Sequence, residues 1–217
     1  MAARCFAAIH LCRIRATRLD AEGDPSPGPN NFYVTDKPIT LGASPVIEAG
    51  ADLTMVGGCD CIIAAYRGND KLKRFDLALA LGMLEPALLE MLLGGSAITQ
   101  GGQISGMWWP SQMACDDAPQ PNLAFEGWQD TWEDDHQGNA PFRYIHWVWP
   151  STRWQIGEHT LGNEFLQPSV NGFSRSNPNW GLGIYGDYPE AADPVGGFFF
   201  TNDLPDAVCD YQTEGLT

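Results

Sequence analysis

Residues 68–95 read GNDKLKRFDLALALGMLEPALLEMLLGG, and the spacing of their apolar side chains changes half-way along. From Phe75 to Met83 an apolar residue stands at every second position, with Asp76, two alanines and Gly82 between them. Successive side chains of a strand point to opposite faces, so this period of two predicts a strand that buries one face.

The second half of the segment predicts a short α-helix at about 85–93. Glu85 and Pro86 suit its first turn, where a carboxylate meets the positive end of the dipole and the missing proline N–H costs little. Gly94 supplies a left-handed stop. The apolar stripe at helical spacing comprises Leu84, Leu88 and Leu92. Because so short a helix is marginal alone, we expect it to pack on the flank of a sheet.

The bulk composition favours an all-β fold with many turns. The 217 residues include 24 Gly and 16 Pro, and only 18% are charged, which is typical of short strands joined by turns. At 44% hydrophobic, the chain can bury a substantial core. We expect a single domain, residues 1–217, folded as a β-sandwich or barrel of antiparallel strands with one short flanking helix.

Alternating or aromatic runs bounded by turn residues predict the other strands. They are 9–19, 32–35, 39–41, 53–56, 59–66, 96–98, 103–109, 142–149, 164–175, 181–185 and 196–201. Two pairs of them should be hairpins, turning at Gly57-Gly58 and at Gly101-Gly102. Pro150 is expected to end the strand before it, and a tail is expected from Asp203.

The segment 115–139 is acidic, aromatic and proline-bearing, and is predicted to be a long loop or insertion. At about 25 residues it exceeds the usual loop length, so it should be functional, partly strand, or an ordered insertion. Within it, Glu133–His136 places three acids beside a histidine, a combination that could bind a divalent cation. Consecutive residues rarely converge on one ion, and a solvated acidic loop is the favoured interpretation.

The net charge of −15 argues against a protein that grips nucleic acid, because such binding neutralises phosphates. Basic residues nevertheless cluster, at Arg13, Arg15 and Arg18 and again at 67–74. Oppositely charged faces of two copies could meet there, and two solvated strand faces are the alternative. No run approaches the roughly 18 apolar residues of a membrane span, so no membrane contact is predicted.

The tryptophans indicate a surface that another molecule covers. Trp108 and Trp109 are neighbours, and neighbours on a strand point to opposite faces, so at least one should leave the core. Exposed, they would make a contact between subunits or, with other tryptophans, a platform for stacking sugars.

No motif predicts a catalytic residue, a cofactor or a metal. Cys59-Asp60-Cys61 could hold a metal if a second pair of ligands approached it, but buried free thiols are the preferred interpretation. His146 and His159 could pair with acids such as Glu158 or Glu164. No nucleophile-elbow, zinc-protease or phosphate-loop motif accompanies them, so we do not expect an enzyme.

Several ordered fragments resemble the major tail protein of long-tailed phages that infect actinobacteria. They are CRIRATRLDAEGDPSPGPNNFYVTD, ITLGASPVIEAGADL, CDCIIAAYRGNDKLKRFDLALALG and EPALLEMLLGG, which lie within 12–95, and later LQPSVNGFSRSNPNWGLGIYGDY and Cys209. In that family a cysteine commonly follows the Leu-Asp-Ala motif. This chain has Glu22 there, so it lacks the thiol that a pairing at this position would use.

The resemblance implies a structural protein of the virion tail, assembled in the cytoplasm of the bacterial host. Copies would form hexameric rings that stack into a tube around the tape-measure protein, contact other tail proteins, and let DNA pass without specific binding. Edge strands of a β-sandwich can join neighbouring copies, and an acidic lumen would repel phosphate. Arg13, Arg15, Arg18, Trp108 and Trp109 are the candidate residues for contacts between subunits.

Three alternatives remain at this stage. A tail terminator, connector or baseplate ring would form one ring and stop. A carbohydrate-binding β-sandwich would use the tryptophan groups for host adsorption. A metal-assisted hydrolase around Glu133–His136 comes last, since it depends on consecutive ligands.

Overall fold

The computed structural model describes residues 6–26, 28–109, 120–133, 142–159, 162, 166–180, 194–206 and 209–211. Within these residues the fold is mainly antiparallel β-structure with one α-helix, as predicted. The first elements are β1 Phe6–Arg18, β2 Phe32–Thr35, β3 Pro38–Glu48, β4 Asp52–Val56, β5 Ile62–Arg67, β6 Lys71–Leu81 and α1 Pro86–Leu93. The later elements are β7 Ser96–Gln100, β8 Gln103–Trp108, β9 Leu123–Glu133, β10 Tyr144–Ile156, β11 Ser169–Ser174, β12 Gly197–Thr201 and β13 Asp210–Tyr211.

The main sheet has the strand order β13-β2-β1-β9-β10-β11-β6-β3, and β12 pairs with β10. The first half of β10 pairs with β12 and its second half with β11, so β10 belongs to two layers. The layers face each other: a Cβ placed on Gly127 of β9 would lie 3.2 Å from Leu41 Cδ2 of β3 and 3.5 Å from Leu11 Cδ1 of β1. The result is a sandwich whose layers share β10.

Pro150 lies where β10 passes from one layer to the other, and the prediction that it ends the strand is wrong. The register of β10 on β9 shifts between Trp149 and Thr152. A proline lacks the N–H that a regular ladder needs, but a bulge leaves one residue unpaired and bends the strand. Pro150 therefore bends β10, whereas the sequence pattern predicts that the strand ends there.

Helix α1 begins and ends close to the predicted residues. Gly94 adopts the left-handed conformation, φ 73°, and its N–H donates to Glu90 O at 2.9 Å. Glu85, immediately before the helix, is buried and accepts hydrogen bonds from Tyr33 Oη at 2.8 Å and Thr35 Oγ1 at 2.9 Å. The buried helix residues pack with β1, β6, β9, β10 and β11 in one cluster. Leu84, placed on the stripe by its spacing, instead precedes the helix and is exposed.

The segment 115–139, for which a loop, a partial strand or an ordered insertion is expected, is partly strand: Leu123–Glu133 form β9 between β1 and β10. The six residues from Leu123 to Trp128 are all buried, so this strand is covered on both faces. The tail expected from Asp203 also needs correction, because Asp210–Tyr211 pair with β2 as β13. The strand predicted at 181–185 lies outside the described residues.

Candidate assembly surfaces

A long hairpin leaves the sandwich at β3 and β6. These strands pair from Pro38↔Leu81 to Glu48↔Lys71, and β4 and β5 then pair as a separate two-stranded sheet that begins at Asp52↔Arg67. We call residues 52–67 the arm.

The base of the arm is a close approach of two backbones. Gly68 N–H donates to Ala51 O at 2.8 Å, and Gly50 N–H donates to Asp70 Oδ1 at 2.9 Å. A Cβ on Gly50 would lie 2.1 Å from Gly68 O, so only glycine fits there without a backbone shift. The arm is therefore joined to β3 and β6 through a tight joint at Gly50 and Gly68, beyond which every residue of its two strands is exposed.

The arm turns back at 57–61. Gly57 N–H donates to Cys61 O at 2.7 Å, and Cys59 and Asp60 have positive φ values of 65° and 55°. The hairpin predicted on either side of Gly57-Gly58 is confirmed, and its strands are Asp52–Val56 and Ile62–Arg67.

No residue of β4 or β5 is buried, although the sequence there is rich in apolar side chains. Six large apolar residues are 54–67% exposed: Leu53, Met55, Val56, Ile62, Ile63 and Tyr66. A two-stranded hairpin is at best marginal in water. Soluble monomers also rarely expose a contiguous apolar patch larger than a few hundred Å². The arm is thus the clearest uncovered surface among the described residues.

A second apolar surface is a cleft of about 720 Å³ between the two layers. One wall comes from β3 and β6, and the other from β1, β9, β10 and β12. Its lining side chains include Ile9, Leu11, Ile39, Leu41, Phe75, Trp147, Trp149 and Phe198. Trp147 Nε1 donates to Gln129 Oε1 at 2.7 Å, which fixes the indole in the wall. We call this feature the cleft.

The hairpin predicted around Gly101-Gly102 is present as β7 and β8. Trp108 ends β8 and is 71% exposed, and Trp109 after it is 47% exposed. The expectation that at least one of them leaves the core is confirmed. Both remain candidates for contact with another molecule.

The three candidate arginines of β1 have different surroundings. Arg13 and Arg18 are partly exposed, but Arg15 is only 4% exposed. Its guanidinium donates to Glu126 on β9, from Nε to Oε2 at 2.6 Å and from Nη2 to Oε1 at 2.7 Å. A side chain held inside its own protomer cannot meet a neighbouring copy, so Arg15 is removed from the candidate contacts.

His146 lies in the same buried network. Its Nε2 is 3.0 Å from Glu126 Oε1, and its ring stacks on Trp128 with centroids 4.2 Å apart. Among the described residues its carboxylate partner is thus Glu126. Although burial disfavours the charged form, Arg15 and His146 hold the pKa of Glu126 below its ordinary value. With Glu126 and His146 fully buried, the network is closed to solvent and links β1, β9 and β10.

The described cysteines correct the expectation of buried thiols. Cys59, Cys61 and Cys209 are exposed and Cys12 is partly exposed, and all four are free. Among the residues that the structure describes, no group of three or more His, Cys, Asp or Glu side chains could hold a metal. Residues 134–136, Glu164 and the side chain of Glu133 lie outside the description, as do Cys5 and Cys115.

Three of the basic residues near the arm, Arg67, Lys73 and Arg74, form local ion pairs. Lys73 Nζ lies 3.4 Å from Glu48 Oε2, Arg74 Nε lies 2.9 Å from Asp76 Oδ1, and Arg67 pairs more loosely with Asp70 at 3.9 Å. Exposed pairs of this kind contribute at most about 1 kcal/mol. They make the base of the arm nearly neutral, whereas the whole chain carries −15.

Comparison with known proteins adds no family: no family model matches the chain, and no curated protein matches it at a significant level. Over the part of the chain that the structure describes, no helix is long and apolar enough to cross a membrane.

Proposed function

We propose that this protein is a structural subunit of a phage tail tube, which assembles with copies of itself into stacked hexameric rings. The observation that carries the proposal is the arm, a projecting hairpin with five aliphatic side chains that are each more than half exposed. Apolar side chains gathered on a projection are typical of surfaces that another chain covers. The resemblance of 13–95 to tail tube proteins supports a second copy as that chain.

The magnitudes favour many weak contacts over one strong contact. Burying an aliphatic side chain completely contributes about 1.5–3 kcal/mol. Five side chains that are roughly 60% exposed would therefore contribute about 4–9 kcal/mol on docking. Association costs an estimated 4–15 kcal/mol in lost freedom. One docked arm barely offsets that cost, so a ring or stack in which each copy makes several contacts is the stable form.

The charge fits the same role. In a tube, the acidic body would line or surround a lumen that repels DNA phosphates, so DNA could pass without being held. The tape-measure protein and other tail proteins would be the remaining partners, and the virion tail the location. In this role the protein has no catalytic centre.

Negative-stain electron microscopy and sedimentation velocity of the purified protein test the proposal. We expect rings or tubes, with a sedimentation coefficient that rises with protein concentration. Ile62→Arg and Ile63→Arg, at the end of the arm, should leave a folded monomer, because a charge there would have to be desolvated on docking. Met83→Arg is the matched control, since Met83 is 57% exposed but lies outside the arm.

A wild-type protein that stays monomeric at high concentration would contradict the proposal. An arrest at single rings would instead favour a terminator, connector or baseplate component.

A carbohydrate-binding function is the second candidate, and the exposure of Trp108 and Trp109 favours it. Exposed indole rings can stack on sugars as well as on protein. Binding of the monomer to a glycan array, abolished by Trp108→Ala, would support this candidate. Loss of assembly in Trp108→Ala without glycan binding by the wild type would support a contact between subunits.

A further inference from the structure

The arm and the cleft are two uncovered apolar surfaces on one chain. We propose that the cleft of each copy receives the arm of a second copy. This inference rests on the proposed self-assembly and adds to it the surface that the arm occupies.

The arm does not fill the cleft of its own chain. Ile39 and Leu41 of β3 form part of the cleft wall, and β3 runs on from there through Glu48 into β4. Both strands are held in register by β6 and β5 over their length. At about 3.3 Å per residue the segment from Leu41 to Leu53 spans at most roughly 40 Å, Leu53 is 63% exposed, and no residue of the arm lines the cleft of its own chain. The cleft is therefore open to the arm of another copy.

The sizes of the two surfaces are compatible. A volume of about 720 Å³ lies within the roughly 300–1,000 Å³ range of pockets that bind drug-sized ligands. Such a space accepts several branched side chains from one end of a hairpin, and it is too small for a folded domain. Met55, Val56, Ile62 and Ile63 stand nearest the turn of the arm and are each at least half exposed.

The chemistry of the two surfaces also agrees. The cleft is lined mainly by aliphatic and aromatic side chains, and the arm carries two acids, Asp52 and Asp60, and one base, Arg67, with Asp60 in the turn between its strands. Two bodies that share a large negative charge repel each other. A nearly neutral apolar arm is only weakly repelled by the acidic body of another copy, and burial of its side chains favours association.

A contact between an arm and a cleft joins two different surfaces of the same protein. Such a heterologous contact leaves one free arm and one free cleft at the ends of any chain of copies. It therefore generates rings where the rotation closes and continuous filaments where it does not. A symmetric contact between two arms would need no cleft, so mixing an arm variant with a cleft variant distinguishes the two arrangements.

The test mixes two variants of the full-length protein. Ile62→Arg removes the docking surface of the arm, and Ile39→Arg, at a site 44% exposed, places a charge at the cleft. Each variant alone should remain monomeric. Mixed in equal amounts at high protein concentration, they should associate one to one and grow no further, because only one intact arm and one intact cleft can meet. One docked arm barely offsets the cost of association, so this heterodimer should dissociate on dilution. Ile9→Arg, at the opposite wall and 45% exposed, is a second cleft variant in case the first does not fold.

Ile156→Arg is the matched control, because Ile156 is 43% exposed on β10 and lies outside the cleft; it should assemble like the wild type. Sedimentation velocity and native mass spectrometry give the stoichiometry, and thermal unfolding confirms that each variant is folded.

The outcomes separate the inference from the proposed function. If the wild type assembles and both folded cleft variants assemble equally well, the arm docks elsewhere and the inference is overturned. If the cleft variant forms homodimers through its arms, the contact is symmetric and the inference is again overturned. If the wild type never assembles, the proposed function itself fails. The inference would also be overturned if a small apolar ligand bound in the cleft and the arm variants assembled like the wild type.

Discussion

Glu126 accepts two hydrogen bonds from the guanidinium of Arg15, at 2.6 Å from Nε and 2.7 Å from Nη2, in the middle of the main sheet. The side chains are 0% and 5% exposed, so neither charge is solvated by water. A buried pair of this kind makes a small net contribution, but removal of one partner leaves the other charge uncompensated.

Glu126→Gln is therefore expected to lower the free energy of unfolding by about 3–5 kcal/mol. The amide has nearly the same shape as the carboxylate, so the loss reports the charge on Arg15 and not a cavity. Urea unfolding followed by circular dichroism measures it. Asp76→Asn is the control, because it removes an exposed pair with Arg74 and should change the free energy by less than about 1 kcal/mol. Equal effects of the two substitutions would contradict the prediction.

The same pair should make the protein sensitive to acid. The pKa of Glu126 is lowered in the folded protein, so the pair contributes fully above the ordinary carboxyl pKa of about 4.3. The contribution is lost as the pH falls from that value through the lower pKa of the folded state. The difference in stability between the wild type and Glu126→Gln should thus be largest near neutral pH and shrink below about pH 4.3. Urea unfolding in steps of pH measures the difference, and a constant difference down to acid pH would rule this out.

The base of the arm provides a test that does not depend on assembly. Gly50→Ala puts a Cβ where Gly68 O lies 2.1 Å away, so the backbones must separate. We expect faster amide hydrogen exchange throughout 52–67 and a loss of assembly, with little change in the thermal midpoint of the body. Gly58→Ala is the matched control, because a Cβ there meets nothing within 4 Å. Unchanged exchange in Gly50→Ala would show that the base of the arm tolerates the shift.

The features that sequence predicted well depend on local signals. Pro86 and Gly94 mark the two ends of α1 because fixed or positive φ angles act on the backbone directly. The alternation in 75–83 places Leu77, Leu79 and Leu81 inside, and these three side chains are buried. Phe75 is only partly buried because the first half of β6 extends beyond the core, and Met83 is exposed because the strand ends at Leu81, two residues before it.

The features that sequence missed depend on partners far along the chain. Glu126 lies in the acidic segment 115–139, where no local spacing distinguishes it, and its partner Arg15 is 111 residues away. Likewise, the pattern of β4 and β5 predicts a hairpin, but only the fold shows that the hairpin extends from the body instead of covering it. The cleft combines residues from six strands and the segment before β12, a combination that no local spacing could indicate.

The reactivities of the cysteine thiols report both the surroundings of Cys12 in the protomer and the position of the arm in the assembly. Burial, together with Asp130, raises the pKa of the Cys12 thiol to about 11, so about one molecule in a thousand carries the thiolate at pH 8, against about a quarter for an ordinary thiol. The higher basicity of a thiolate partly offsets this difference. Iodoacetamide should thus modify Cys12 at least tenfold more slowly than the exposed Cys59 and Cys61. Peptide mass spectrometry resolves the sites in a time course on the monomeric Ile62→Arg variant.

When the time course is repeated on assembled wild-type protein, the labelling of Cys59 and Cys61 should slow, because both thiols stand at the turn of the arm and a docked arm excludes the reagent. The exposed Cys209 is the internal reference. Fast labelling of Cys12 would contradict its raised pKa, and undiminished labelling of Cys59 and Cys61 in tubes would mean that the arm remains in solvent.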